Sequence, residues 1–159
     1  SRLRSLGADI KIILDSAEAA RAVSAFCRRE KTTIPVLLEI DVDGHRSGIR
    51  PDGAELLPAA AALADGAELV GVLTHAGDSY ECKSTAEIEA AAEAERAGIV
   101  LAAERLRAAG HIVKIVSAGS TPTLMFAKDE TGVPAYVRYL TSSCPMSAHA
   151  PLTTSPDPS

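Results

Sequence analysis

The strongest constraint on this chain is an alternation. Apolar runs of strand length recur, and a stretch with helical periodicity separates each from the next. The runs are Asp9-Ile10-Lys11-Ile12-Ile13-Leu14-Asp15, Ile34-Pro35-Val36-Leu37-Leu38-Glu39-Ile40-Asp41-Val42, residues 69–74 and residues 111–116. The second is apolar almost throughout its centre, as expected of a strand covered on both faces. Pro35 sits near its start, where a missing ladder donor is tolerated.

Helices fill the gaps. Asp15 or Ser16 is placed to cap the first, with Glu18 three residues after Asp15 as in a capping box. The spacing of Ala19, Ala22, Val23, Phe26 and Cys27 predicts its buried face. Residues 56–64 predict an alanine-rich helix with Pro58 in the first turn. Ser84, followed by Glu87, opens the longest helix, about residues 85–109. Its apolar stripe is Ile88, Ala92, Ile99, Ala103 and Leu106, and Gly110 stops it. Past the fourth run, Leu124-Met125-Phe126 and Ala135-Tyr136-Val137-Arg138-Tyr139 read as short strands. From Thr141 the chain is rich in Ser, Pro and Thr and predicts a disordered tail. The expected division is one domain over 1–140 and the tail over 141–159.

A repeating βα unit requires a parallel sheet. Two architectures satisfy it: a doubly wound open sheet, or part of a (β/α)8 barrel, which takes about 250 residues when complete. Both put functional loops at the C-terminal ends of the strands.

Bulk properties narrow the function. The chain has 159 residues, 47% hydrophobic but only 3% aromatic, with a net charge of −5. Its core must rest on small aliphatic side chains. Basic residues are scattered, which argues against nucleic acid and against an anionic membrane surface. No apolar run reaches the roughly 20 residues of a membrane span. Three cysteines, Cys27, Cys82 and Cys144, show no paired spacing. They fit free thiols in a reducing, cytoplasmic setting.

Polar clusters follow three of the strands. Asp41-Val42-Asp43-Gly44-His45-Arg46 carries an arginine able to grip a phosphate or carboxylate. Its carboxylates and His45 do not complete a metal ligand set. Gly71-Val72-Leu73-Thr74-His75-Ala76-Gly77-Asp78-Ser79-Tyr80 places His75 and Tyr80 just past a strand end, where His can move protons and Tyr can hydrogen-bond a heterocycle or phosphate. In Ser117-Ala118-Gly119-Ser120-Thr121-Pro122-Thr123, Gly119, Ser120 and Thr121 can offer backbone amides and hydroxyls to an anion. Taken singly, each cluster also reads as an ordinary polar turn. No hydrolase triad or nucleophile elbow is present.

Together, in this order and spacing, the three stretches resemble the D-threonine aldolase and D-serine dehydratase family. That family shares its cofactor barrel with the alanine racemase N-terminal domain. The resemblance covers about residues 8–134 and implies a piece of a (β/α)8 TIM barrel carrying pyridoxal phosphate at its strand ends. It implies that Arg46 lies beside the cofactor ring, that His75 and Tyr80 belong to a loop approaching the ring, and that Gly119, Ser120 and Thr121 cradle the phosphate. It implies a lyase acting on a small D-amino acid.

The departures matter equally. The family's Schiff-base lysine lies in a motif that Lys11, Lys31, Lys83, Lys114 and Lys128 do not match. Its divalent metal belongs to a C-terminal domain with no counterpart after Val133. The chain is therefore expected to be a fragment, to retain cofactor contacts, and to lack turnover alone. Exposed sheet edges would make it unstable unless it forms a homodimer or meets its other half. A non-catalytic α/β module binding pyridoxal phosphate or another phosphorylated ligand is the alternative.

Overall fold

The computed structural model describes residues 6–44 and 47–136. Arg46, His45 and the expected tail beyond 140 lie outside the described residues.

Among the described residues five strands form one sheet in the order β1-β2-β3-β4-β5, and every neighbouring pair is parallel. They are β1 (Ile12–Leu14), β2 (Ile34–Ile40), β3 (Ala67–Thr74), β4 (Ile115–Ala118) and β5 (Ala135–Tyr136). Each strand pairs with its successor in sequence, with no reversal. An open doubly wound sheet reverses its order in the middle. The unbroken run is an arc of a barrel wall, and the doubly wound alternative falls away.

The helices are α1 (Ala17–Glu30), α2 (Leu56–Ala61), α3 (Thr85–Ala108) and α4 (Thr121–Phe126). A 3-10 turn spans Gly77–Tyr80. Leu38, Ile40, Val72 and Val116 from the strands pack with Leu56 and Ala59 of α2 and Ile99, Ala102, Ala103 and Leu106 of α3, all buried. The small Ala102 and Ala103 side chains at the contacts leave room for α3 to lie close against the sheet.

Helix α1 is rotated from its predicted face. Ala20, Ser24 and Cys27 are buried, whereas Phe26 is 42% exposed, with Arg29 over its ring at 5.2 Å. Ser24 tolerates burial because its hydroxyl lies 2.8 Å from Ala20 O and 3.0 Å from Ala62 O, and accepts from Ala64 N at 3.0 Å. Ser16, not Asp15, caps this helix, accepting from Ala19 N. Lys31 closes it in the left-handed conformation.

The fourth strand starts later than the apolar run suggested, at Ile115. Residues 109–111 are still closing α3 through backbone bonds such as His111 N to Leu106 O, 3.0 Å. The ladder begins only when Lys114 N reaches Val70 O, also 3.0 Å. Residues 124–126 are helical, not a strand. Ser120 and Thr123 form a reciprocal capping box with Pro in the first turn, and this local bonding overrides the strand preference of three residues. Among the described residues no helix is long and apolar enough to cross a membrane.

Candidate functional site

The C-terminal ends of β2, β3 and β4 lie side by side, and their loops are bonded to one another. After β2 the chain turns sharply. Asp41 Oδ1 accepts from Gly44 N, three residues on, at 2.8 Å and so pins the turn. The loop then returns, with Asp41 N to Ile49 O at 3.0 Å and Ile49 N to Glu39 O at 2.9 Å. Gly48 is required at the crossing: its φ is +133°, and a Cβ would meet Asp41 N at 2.6 Å. Asp43 Oδ2 accepts from Asp78 N at 3.1 Å and joins this loop to the next. Thr74, buried at the end of β3, donates to Ile40 O at 2.7 Å.

The loop after β3 is bonded to the loop after β4 at several points. His75 Nδ1 lies 2.9 Å from Gly119 O. A carbonyl only accepts, so Nδ1 carries the proton. The His75 and Tyr80 rings stack, 5.9 Å between centroids and 25° between planes. Tyr80 Oη accepts from Thr121 N at 3.4 Å. Ser79 Oγ donates to Ala76 O at 2.7 Å and lies 2.6 Å from Ser120 Oγ. Since Ser79 donates to a carbonyl, Ser120 donates to Ser79.

Of the predicted site residues, His75, Tyr80, Gly119, Ser120 and Thr121 are thus brought into one cluster. Arg46 lies outside the described residues. All three amides expected to face an anion are engaged within the protein: Gly119 N donates to Glu95 Oε1 at 3.3 Å, Ser120 N to Thr123 Oγ1 at 3.1 Å and Thr121 N to Tyr80 Oη at 3.4 Å. Thr121 is exposed, and Tyr80 is 55% exposed. These two are the solvent-facing side of the cluster, with the His75 ring stacked against Tyr80.

Glu95 is the site residue the sequence reading did not select. It is 1% exposed on α3 and accepts from Ala76 N at 2.8 Å, Gly119 N at 3.3 Å and the Thr123 hydroxyl at 2.6 Å. Burial pushes its carboxyl above the ordinary range, while the three hydrogen bonds and the nearby His75 pull the other way without reversing the shift. A signal was present. Glu95 falls three residues after Ala92 and four before Ile99, on the apolar stripe of α3.

The described residues fit a flat, anionic heterocycle. The His75–Tyr80 pair offers an aromatic face, and the Thr121 and Tyr80 hydroxyls offer donors at its edge. Among the described residues no group of three His, Cys, Asp or Glu is placed to hold a metal.

Comparison with known proteins agrees with this architecture. The profile described as "Alanine racemase, N-terminal domain" matches residues 2–138. D-threo-3-hydroxyaspartate dehydratase of Delftia sp. (strain HT23) is 51% identical over 134 residues, 83% of this chain and 35% of its own length. The solved structure of that enzyme superposes with a TM-score of 0.81 at 49% identity, covering 85% of this chain and 36% of the other. An alanine racemase-like protein from Idiomarina loihiensis gives 0.79 at 34% identity, over 85% and 36%. D-threonine aldolase from Filomicrobium marinum gives 0.65 at 26% identity, over 76% and 33%. The chain therefore spans about a third of the length of these relatives. With the arc of parallel strands, the strand-end loops and a profile match along nearly its whole described length, the chain belongs to the alanine racemase N-terminal domain family.

Proposed function

We propose that this chain supplies part of the pyridoxal phosphate site of a lyase acting on D-β-hydroxy amino acids, and that alone it binds the cofactor without turnover. The observation that carries this reading is the His75–Tyr80 stack, set beside Gly119 and Thr121 at adjoining strand ends. Two relatives support the substrate class by their names, a D-threo-3-hydroxyaspartate dehydratase and a D-threonine aldolase. Both names describe D-amino acids with a hydroxyl on Cβ.

Pyridoxal phosphate, when bound, supplies an electron sink for breaking a bond at Cα or Cβ. The chain's own residues bind and orient. The stacked His75 and Tyr80 rings present an apolar face to a heterocycle. The Thr121 and Tyr80 hydroxyls donate to an anionic arm. Arg46 follows Asp41 and Asp43 in the loop beyond β2 and adds positive charge toward the same ligand. The hydrogen bond from Nδ1 to Gly119 O holds the imidazole in one orientation. Lys11, Lys31, Lys83, Lys114 and Lys128 lie outside the family's lysine motif, so no covalent link to the cofactor is assigned to this chain.

The test is titration of the full chain with pyridoxal phosphate, followed by absorbance, then borohydride reduction and peptide mapping. The expected result is saturable binding without stoichiometric lysine labelling. Absence of saturable binding overturns the cofactor site. Complete labelling of one lysine overturns the claim that the covalent site lies elsewhere.

A further inference from the structure

Glu95 is the most deeply buried charged side chain among the described residues, at 1% exposure. Placing a carboxylate there costs several kcal/mol unless its oxygens are fully matched. They are matched only by donors: Ala76 N, Gly119 N and the Thr123 hydroxyl. The β3–β4 ladder ends at Leu73 and Ser117. The amides of Ala76 and Gly119 lie beyond it and have no strand partner there.

The arrangement grips Gly119 from two sides. The peptide before it is held by its N–H on Glu95 Oε1. The peptide after it is held by its N–H on Thr123 Oγ1, which itself donates to Glu95 Oε2. The carbonyl of that second peptide is the one facing His75 Nδ1, 2.9 Å away. Gly119 has a φ of +155° and no side chain to oppose rotation, so these bonds set the direction of its carbonyl. From that carbonyl the constraint passes to the His75 ring, then by stacking to Tyr80, whose hydroxyl meets Thr121 N.

We propose that Glu95 is a positioning residue for the cofactor face: by fixing both peptides around Gly119 it holds His75 with its proton on Nδ1 and its ring stacked on Tyr80. A role in folding alone would need only that the three donors be satisfied. The added content here is that the tautomer and orientation of His75 depend on Glu95. The binding consequence rests on the pyridoxal phosphate reading; the effect on His75 does not.

The test uses the full chain labelled with ¹⁵N-histidine and ¹⁵N-glycine, with His75 assigned by its absence in His75→Gln and Gly119 by its absence in Gly119→Ala. In the unaltered chain the neutral His75 ring carries its proton on Nδ1. Glu95→Gln, whose single carbonyl can serve both backbone amides while Thr123 turns its proton toward Ser120 O, keeps that tautomer. Glu95→Leu has no acceptor, so it shifts most of the ring to the other tautomer and weakens pyridoxal phosphate binding about tenfold or more. A folded Glu95→Leu chain with the original tautomer overturns the inference. If Glu95→Leu does not fold, Glu95→Gln decides: the amide accepts more weakly than a carboxylate, so the Gly119 amide and His75 Nδ1 resonances move together. A Gly119 resonance that moves while His75 stays still overturns the inference. Dependence of His75 on Glu95 in a chain that binds no pyridoxal phosphate would remove the cofactor reading and leave this one standing.

Discussion

His75 Nδ1 and the carbonyl oxygen of Gly119 stand 2.9 Å apart, joining the loop after β3 to the loop after β4. This bond and the stack on Tyr80 align the half-buried imidazole. His75→Ala removes both and is expected to lower the unfolding free energy by about 1–2 kcal/mol. Tyr80→Phe keeps the stack and loses only the acceptor for Thr121 N, so its cost should be below about 1 kcal/mol. Urea melts compare the two. Pyridoxal phosphate affinity should fall in both, and an unchanged affinity in both would remove these residues from the site.

Glu95 gives the pH dependence. Burial raises its carboxyl above the ordinary value of 4.5. The folded state therefore prefers the protonated form more than the unfolded chain does. The stability tied to this preference is complete below 4.5 and is lost as pH rises through the raised folded value. A glutamine amide at this position cannot ionise, so the stability of Glu95→Gln minus that of the unaltered chain should grow as pH rises above 4.5 and then level off. Its slope cannot exceed about 1.4 kcal/mol per pH unit. Urea melts of both proteins at several pH values measure the difference. A constant difference up to neutral pH would contradict the shift.

Gly71 marks the closest approach of β3 and β4. A Cβ there would lie against the Ile115 backbone oxygen and 2.7 Å from Ile115 Cβ. Neither atom is at the end of a flexible side chain. Gly71→Ala should destabilise by about 1–3 kcal/mol or more, because the strands must separate. A thermal melt within a degree or two of the unaltered chain would show that they part readily.

Arg46 and Ser120 test the site from opposite loops. Arg46→Ala removes a positive charge that the proposed site offers to an anionic ligand. Ser120→Ala removes the cap of α4 and the partner of Ser79, at a cost of about 1 kcal/mol. Each should weaken pyridoxal phosphate binding, read by titration. If both variants bind as the unaltered chain does, the site lies elsewhere.

The family resemblance was legible because its motifs sit at strand ends, where polar residues follow apolar runs abruptly. His75, Tyr80, Gly119, Ser120 and Thr121 were all selected this way, and they do form one cluster. What each does within it was not legible. The Ser120 amide is taken by Thr123 in a local capping box, but the Gly119 amide turns inward because Glu95 supplies an acceptor from a distant helix, and sequence spacing carries no information about that meeting. Helix α1 makes the same point. Its periodicity favoured Phe26 as core, but Ser24 is buried instead, because three backbone groups match its hydroxyl.

By itself the sequence determined the class of fold. Strand-length apolar runs alternating with capped helices permit only a parallel sheet with helical crossovers, since local periodicity and the handedness of the crossover act within each βα unit. The tertiary structure decided two things: that the strands follow one another in an unbroken arc, and that a carboxylate inside α3 ties two strand-end loops together. These depend on contacts between segments distant in the chain. Their energies come from burial and from donors meeting acceptors, quantities that exist only once the chain has closed on itself.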